Sequence, residues 1–292
     1  MSIGVIGATG PTGRSLVVRL LESGHDVVAI ARSPARLAAF DPRVRRRVVD
    51  LDADHDLRSV LSDLDTAVVS VPYPYHQRVL RDLPRACRVV LLSSTRRFSR
   101  FPSAAAETLR ATEDCWLNSG RTGALLHVAM IYGPPADRNI SRLIALIEAW
   151  PWWLPMAIPL PSGGRALVQP VFREDVVDAV CAALERCHGR MEVITVAGPQ
   201  PLAMRDVMGQ LAACLGRKVW VLSLPDALLI GAARAGAALC LVDPGLAPQL
   251  RRLSENKAFD VSAMERRLGI NARPFAEGAR RTIEAQRLRA PP

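Results

Sequence analysis

The chain has 292 residues, 49% of them hydrophobic and 23% charged, which is enough to bury one large α/β core with a smaller appendage. Its formal charge of +10 raises nucleic acid as a partner, but the basic residues run along the whole chain without a nucleic-acid motif, so no nucleic acid is expected and the charge reads as attraction for an anionic small molecule. The six cysteines, Cys87, Cys115, Cys181, Cys187, Cys214 and Cys240, have neither C-x-x-C pairing nor a histidine at ligand spacing, so free thiols and no metal site are expected.

A first strand over 3–6 runs into Val5-Ile6-Gly7-Ala8-Thr9-Gly10-Pro11-Thr12-Gly13-Arg14. The spacing Gly7-x-x-Gly10-x-x-Gly13 suits a tight turn whose backbone N–H groups approach a pyrophosphate while a helix starts against the strand just left. That helix is expected over 12–23 and is stopped by Gly24; a strand over 26–31 completes a strand–helix–strand unit of about thirty residues, the context that separates a nucleotide loop from a chance glycine pattern. With the first strand so early, no leader peptide is expected and the cytoplasm is the expected location.

The alternation continues with a helix over 34–39, strand 46–50, helix 57–62, strand 66–71, helix 76–84, strand Arg88 to Leu92, helix 103–119 and strand Gly123 to Val128. This pattern predicts a doubly wound parallel sheet, the Rossmann arrangement, with its ligand crevice outside the carboxyl ends of the strands. After Tyr132-Gly133-Pro134-Pro135 the texture changes. A helix near 139–149 leads into Trp150-Pro151-Trp152-Trp153-Leu154-Pro155, and Pro159, Pro161, Gly163 and Gly164 mark a loop. Val168 to Phe172, a helix over 174–186 and the strand Glu192 to Ala197 read as a return to the main sheet. From Pro201 follow a helix to about Gly216, a strand Lys218 to Leu224 and several helices, ending in an Arg-rich tail at 286–292. The apolar run Ala227 to Val242 is too short, and too interrupted by Arg234, for a membrane span, so no integral membrane segment is expected. The expected division is a dinucleotide-binding core over 1–135, a substrate-side insertion over 136–165, the return to the sheet over 166–199 and a mostly helical C-terminal lobe over 200–292.

Several motifs sit at strand ends: Gly7-Ala8-Thr9-Gly10-Pro11-Thr12-Gly13, Val49-Asp50-Leu51, Leu92-Ser93-Ser94-Thr95, Met130-Ile131-Tyr132-Gly133-Pro134, Val171-Phe172-Arg173-Glu174-Asp175-Val176 and Val196-Ala197-Gly198-Pro199. With these the chain resembles the extended or atypical short-chain dehydrogenases/reductases of the NAD-dependent epimerase/dehydratase type over nearly its whole length. The resemblance implies that Asp50, with Leu51 beside it, contacts adenine. The end of the second strand selects the cofactor, an acidic residue for a ribose 2′-hydroxyl and arginine for a 2′-phosphate. Here it reads Ala31-Arg32-Ser33, which favours NADP(H) over NAD(H), with Arg14 and Arg36 adding charge; solvated surface arginines are the alternative. The expected cofactor contacts are Gly7, Thr9, Gly10, Pro11, Thr12, Gly13, Arg14, Arg32, Ser33, Asp50, Leu51, Val71, Pro72, Ser93, Ser94 and Val128.

The resemblance also implies a catalytic Ser/Thr, met by Thr95, and a Y-x-x-x-K pair on the helix after the fifth strand. That pair is absent. Ala105 stands at the tyrosine position and Leu109 at the lysine position, the tyrosines are Tyr73, Tyr75 and Tyr132, and Lys218 and Lys257 are the sole lysines among 38 basic residues. The tyrosine moves the proton while hydride moves, and the ammonium lowers its pKa toward working pH, so another group must do this work if turnover occurs. Thr95 is the leading candidate, since its hydroxyl would bond a substrate carbonyl or hydroxyl. Tyr75 and Tyr132 are the further candidates; for Tyr75, as for Tyr73 and His76, the alternative is a Pro-rich turn with packing aromatics, for Glu107 and Glu113 a solvated helix face, and for Tyr132 and His127 a structural role. Asp137-Arg138-Asn139 faces substrate in resembling nucleotide-sugar enzymes, though helix capping explains it nearly as well. Trp150, Trp152 and Trp153 suit a lid, a lipid-like substrate, core packing or a subunit contact, which leaves a homodimer open. The expected function is an NADP(H)-dependent oxidoreductase or epimerase acting on a polar anionic small molecule such as a nucleotide sugar. The alternatives are a non-catalytic NADP(H)-binding or redox-sensing protein and a non-redox isomerase on the same fold.

Overall fold

The structure, a computed structural model, describes residues 2–53, 57–134, 139–151, 153–154, 156–225, 227–229, 231 and 255–288. Asp137, Arg138, Trp152, Cys240, most of the 227–242 run and the end of the tail lie outside the described residues. The chain divides into two compact units: Met1–Ala129 with Arg173–Val196 and Val261–Asn271, and Met130–Phe172 with Ala197–Asp260 and Ala272–Pro292.

In the first unit β1 (Ser2–Ile6), α1 (Pro11–Glu22), β2 (Asp26–Ala31), α2 (Pro34–Ala38), β3 (Arg45–Val48), α3 (Leu57–Leu61), β4 (Thr66–Val69), α4 (His76–Asp82), β5 (Arg88–Ser94), α5 (Ala104–Leu117) and β6 (Gly123–Val128) follow one another as the sequence pattern predicts. The strands most fully covered on both faces are nearly continuous apolar runs, such as Thr66-Ala67-Val68-Val69 in β4, and continuous apolarity is what parallel pairing inside helical layers demands. All pairings in this sheet are parallel. From β1 the chain winds outward through β2 to β3, then restarts on the other side of β1 at β4 and continues through β5 and β6 to a last strand, Met191–Val196. The winding direction therefore reverses between β1 and β4, and a crevice opens at their carboxyl ends. Ile6, Val28, Ile30, Leu61, Val69, Leu91, Trp116 and Leu125 form part of one buried core. The helix Arg173–Arg186 returns to this unit and packs beside α1, where Arg19 pairs with Asp178.

The second unit holds β7 (Ile131–Tyr132), α6 (Ile140–Ala149), β8 (Met156–Pro161), β9 (Leu167–Val168), β10 (Val171–Phe172) and, further along, a strand Leu202–Ala203, the helices Met204–Cys214 and Phe275–Arg287, and a strand Val219–Leu224. Two expectations need correction. The segment expected as a proline-marked loop contains β8, which pairs in parallel with Val219–Leu224. Proline lacks a donor, but in a two-stranded sheet Pro159 and Pro161 can turn their donor-free side away from the partner. Val168 to Phe172 does not rejoin the main sheet: Gln169-Pro170 splits it into β9, paired with Leu202–Ala203, and β10, paired with β7. The buried Gln169 holds this break, its amide donating to Gly198 O at 2.7 Å and its carbonyl accepting from Phe259 N at 2.7 Å.

No helix among the described residues is long and apolar enough to cross a membrane, and no cluster there could hold a metal ion. Cys87, Cys115, Cys181, Cys187 and Cys214 are free. Burial pushes the Cys87 thiol up to about 12 and Cys181 up to about 11, so neither is a ready nucleophile.

Candidate functional site

The glycine loop is built by close approach. Gly7 leaves β1 with φ of 88°, and a Cβ there would lie 2.3 Å from Ser70 O. Its N–H and that of Ala8 donate to Ile30 O at 2.9 and 3.2 Å, so the loop is tied to β2 on one side while pressing on the chain after β4 on the other. Gly13, in the first turn of α1, would bring a Cβ to 2.2 Å from Gly7 O. Gly10 caps α1 in an extended conformation with Pro11 behind it, and the first turn carries no acidic residue. The N–H groups of that turn lack intrahelical acceptors and form the positive end of the helix dipole. A cradle of backbone donors without negative charge, too tight for side chains at Gly7 and Gly13, fits the pyrophosphate of a dinucleotide.

This loop opens into a cleft of about 500 Å³. Gly7, Thr9 and Gly10 line it from the loop; Arg32 and Ser33 come from the end of β2 and Arg36 from α2, Asp50, Leu51 and Asp52 from the end of β3, and Val71, Pro72 and Tyr75 from the turn after β4. Thus residues expected from four separate strand ends lie around one cavity. Pro11, Thr12 and Gly13 stand at the helix start above it, whereas the guanidinium of Arg14 lies 5.4 Å from the centre of the Phe40 ring and not in the cleft wall. Ser33 accepts from Arg36 N at 3.4 Å and so shapes the turn rather than presenting itself alone.

One wall of the cleft carries a linked set of side chains. Arg32 pairs with Asp52 at 3.5 Å, and the Tyr75 hydroxyl donates to the other carboxylate oxygen of Asp52. The turn that holds Asp52 is braced from below: Asp52 N donates to Asp50 Oδ1 at 3.0 Å, and Arg78 of α4 donates to Leu51 O at 2.7 Å and Ala53 O at 2.9 Å. The hydrogen bond to Asp52 raises the Tyr75 pKa above its ordinary value. The Tyr75 hydroxyl is thus engaged by the same carboxylate that pairs with Arg32. Asp52 was missed in the sequence; its signal is the second carboxylate of Asp50-Leu51-Asp52, of which only the first was assigned.

Thr95 is half-buried at the end of β5 and opens a single 3-10 turn, Thr95–Phe98, which Ser94 caps by accepting from Arg96 N at 3.3 Å. Ser93 is buried, its hydroxyl without a protein partner among the described residues, and Val128 is buried at the end of β6. The turn is clamped to α5: Arg97 pairs with Glu113, while Arg110 donates to Arg97 O at 3.1 Å and Ser99 O at 2.9 Å. His127 Nε2 donates to Glu113 Oε2 at 3.1 Å, and burial holds this imidazole neutral, its pKa down at about 3. Burial also raises the Glu113 pKa. Glu107 is exposed, as a solvated helix face requires. Ala105 and Leu109 lie on α5 as expected, with Leu109 fully buried.

Tyr132 belongs to the second unit. Fully buried, it packs against Phe172 and Phe275, with ring centres 5.5 and 5.1 Å away, and its hydroxyl donates to Phe275 O at 3.3 Å. Gly278 exists to admit it, since a Cβ there would lie 2.2 Å from the Tyr132 hydroxyl. The tyrosine is thereby packed as a core residue.

The family model described as NAD(P)H-binding matches residues 7–98. No curated protein matches the chain in sequence. Among solved structures, MoeE5 in complex with UDP-glucose and NAD is similar with a TM-score of 0.73 at 21% identity, covering 99% of each chain. The UDP-glucose 4-epimerase of the hyperthermophilic eubacterium Thermotoga maritima, with UDP-glucose, has a TM-score of 0.72 at 14% identity, again over 99% of each chain. TunA, an NAD-dependent NDP-hexosamine 5,6-dehydratase involved in tunicamycin biosynthesis, has a TM-score of 0.70 at 17% identity, over 99% of this chain and 98% of its own. Residues 7–98 thus match a family model described as NAD(P)H-binding, and the chain shares a Rossmann-like fold along its length with these proteins.

Proposed function

We propose that the chain is an NADP(H)-dependent oxidoreductase or epimerase of the extended short-chain type, acting on a polar anionic small molecule such as a nucleotide sugar. The observation that carries this reading is the cleft itself: a glycine cradle at the positive end of α1, with Arg32 and Ser33 at the end of β2, Arg36 in α2, and Asp50 and Leu51 at the end of β3. In this reading the cradle binds pyrophosphate, Asp50 and Leu51 meet adenine, and Arg32 with Arg36 meets a 2′-phosphate. The bound dinucleotide supplies hydride exchange. Thr95, on its clamped turn at the end of β5, holds the substrate oxygen whose proton must move, in place of the absent tyrosine and lysine. The substrate class is supported by the nucleotide sugars with which two of the similar proteins were solved.

The test is turnover of NADP(H) or interconversion of sugar across a panel of nucleotide sugars, with UDP-glucose and UDP-glucuronic acid included. Thr95→Ala is expected to lower kcat about 100-fold while leaving dinucleotide affinity within about twofold; unchanged turnover would remove Thr95 from the mechanism. A second reading, a protein that holds NADP(H) without turnover, is supported by one observation: Leu109, which the resemblance aligns with the helix lysine, is fully buried. Tight NADP(H) binding with no consumption across that panel would decide for it.

A further inference from the structure

We infer that Asp52 sets the selectivity of this cleft between phosphorylated and unphosphorylated adenosine, acting as the internal counter-ion of Arg32 and as an acceptor for a ribose hydroxyl. The inference rests on the reading that the cleft takes an adenine dinucleotide.

Arg32 does not wait in the cleft as an unopposed cation. It faces a carboxylate whose two oxygens are both engaged, Oδ2 by Arg32 at 3.5 Å and Oδ1 by the Tyr75 hydroxyl. These three residues come from the ends of β2, β3 and the turn after β4, and all three line the same cleft. The position of Asp52 is fixed without help from either partner, because the Asp50 carboxylate holds its N–H and Arg78 holds the carbonyls on both sides of it. The turn that carries it is therefore braced by contacts independent of Arg32 and Tyr75. The other charged groups lining the cleft are Arg36 and Asp50.

A 2′-phosphate arriving at Arg32 must share it with Asp52 and bears the repulsion of a like charge in contact with the same guanidinium. An unphosphorylated ribose meets the reverse situation: the carboxylate accepts from its hydroxyl, the role an acidic residue serves in sites built for NAD. Arg32 and Asp52 thus pull in opposite directions. Their side chains are 72% and 59% exposed, so water screens both effects and the balance is a modest preference rather than an exclusion.

The experiment compares 2′,5′-ADP with 5′-AMP, which differ at the ribose and carry no nicotinamide, and NADPH with NADH, by titration calorimetry on the full chain. Asp52→Asn, which keeps size and removes charge, is expected to raise the affinity ratio of 2′,5′-ADP to 5′-AMP, and of NADPH to NADH, about tenfold over the unsubstituted chain. Asp52→Ala is a second variant with the same expected direction, should the amide misplace the turn. A ratio unchanged within about twofold in both variants, with wild-type binding intact, overturns the role of Asp52. Absence of binding by every probe to the unsubstituted chain overturns instead the reading of the cleft on which it rests.

Discussion

The three glycines of the nucleotide loop separate the work of folding from the work of binding, and alanine at each has a different expected cost. In Gly13→Ala the new methyl would sit 2.2 Å from Gly7 O and 3.0 Å from Ala8 Cα. Both obstacles are backbone of the loop itself, so α1 must back away from β1 by roughly an ångström, and overpacking of this kind costs about 1–3 kcal/mol. In Gly10→Ala the methyl would meet only Gly7 O, at 3.3 Å, and a shift of a few tenths of an ångström relieves it. Gly10 nonetheless lines the cleft, so its methyl stands where a ligand would lie. Urea unfolding followed by tryptophan fluorescence, alongside calorimetric titration with NADPH, reads both quantities. Gly13→Ala is expected to lose about 1–3 kcal/mol of stability and to bind NADPH weakly; Gly10→Ala is expected to lose less than about 0.5 kcal/mol and still to bind at least tenfold more weakly. As a control, Gly24→Ala, with φ of 78° and open space around it, is expected to cost about 1 kcal/mol through backbone conformation alone and to leave binding unchanged. A Gly13→Ala protein as stable as the parent, or a Gly10→Ala protein that binds NADPH normally, would refute the assignment of these roles.

Other outcomes follow from the same contacts. Under the proposed NADP(H) reading, Arg32→Ala removes a charge-assisted bond to a 2′-phosphate, so NADPH affinity is expected to fall about 10–100-fold with NADH affected less than about twofold, as measured by titration. The guanidinium of Arg121 is buried and donates to the carbonyls of Leu80 at 2.9 Å, Leu83 at 2.6 Å and Pro84, so Arg121→Met, which leaves those acceptors unpaired, is expected to cost about 3 kcal/mol or more in urea unfolding. His76 and His127 are both buried and neutral, with pKa values lowered from 6.5 to about 4 and about 3. Because the folded values lie below the unfolded one, the unfolded chain takes up protons first as pH falls. Stability from these two groups is therefore complete above about pH 6.5 and declines below it, by up to about 1.4 kcal/mol per pH unit for each histidine, until the folded values are reached. Unfolding free energies measured down to about pH 5 should show this slope, and His127→Gln should make it shallower by about one histidine's share whatever it does to stability at neutral pH.

The first unit was legible in the sequence because its signals are local. A glycine spacing, an alternation of periods and unbroken apolar runs each specify a strand or helix without reference to distant residues, and β2 and β6 were bounded to the residue. Where tertiary pairing decides, the same reasoning stopped short. Met156-Ala-Ile-Pro-Leu-Pro reads as a loop because its prolines forbid a central strand, yet they are tolerated where only one neighbour pairs. Tyr75 was placed by its position after β4, but its hydroxyl is claimed by a carboxylate twenty-three residues earlier, which no local pattern encodes. Tyr132 carried a motif that also describes a core residue, and only the clearance left by Gly278 distinguishes the two. Asp52 is not singled out by the sequence, because its pairing with Arg32 joins two strand ends that no local pattern connects.

The most direct test of the account is a titration of the full chain with NADPH and, separately, NADH. The proposed reading predicts one site, bound by both and more tightly by NADPH, because Arg32 would bond a 2′-phosphate directly while Asp52 offsets only part of that charge. Tighter binding of NADH would contradict the role given to Arg32, and binding of neither would contradict the assignment of the cleft as a dinucleotide site.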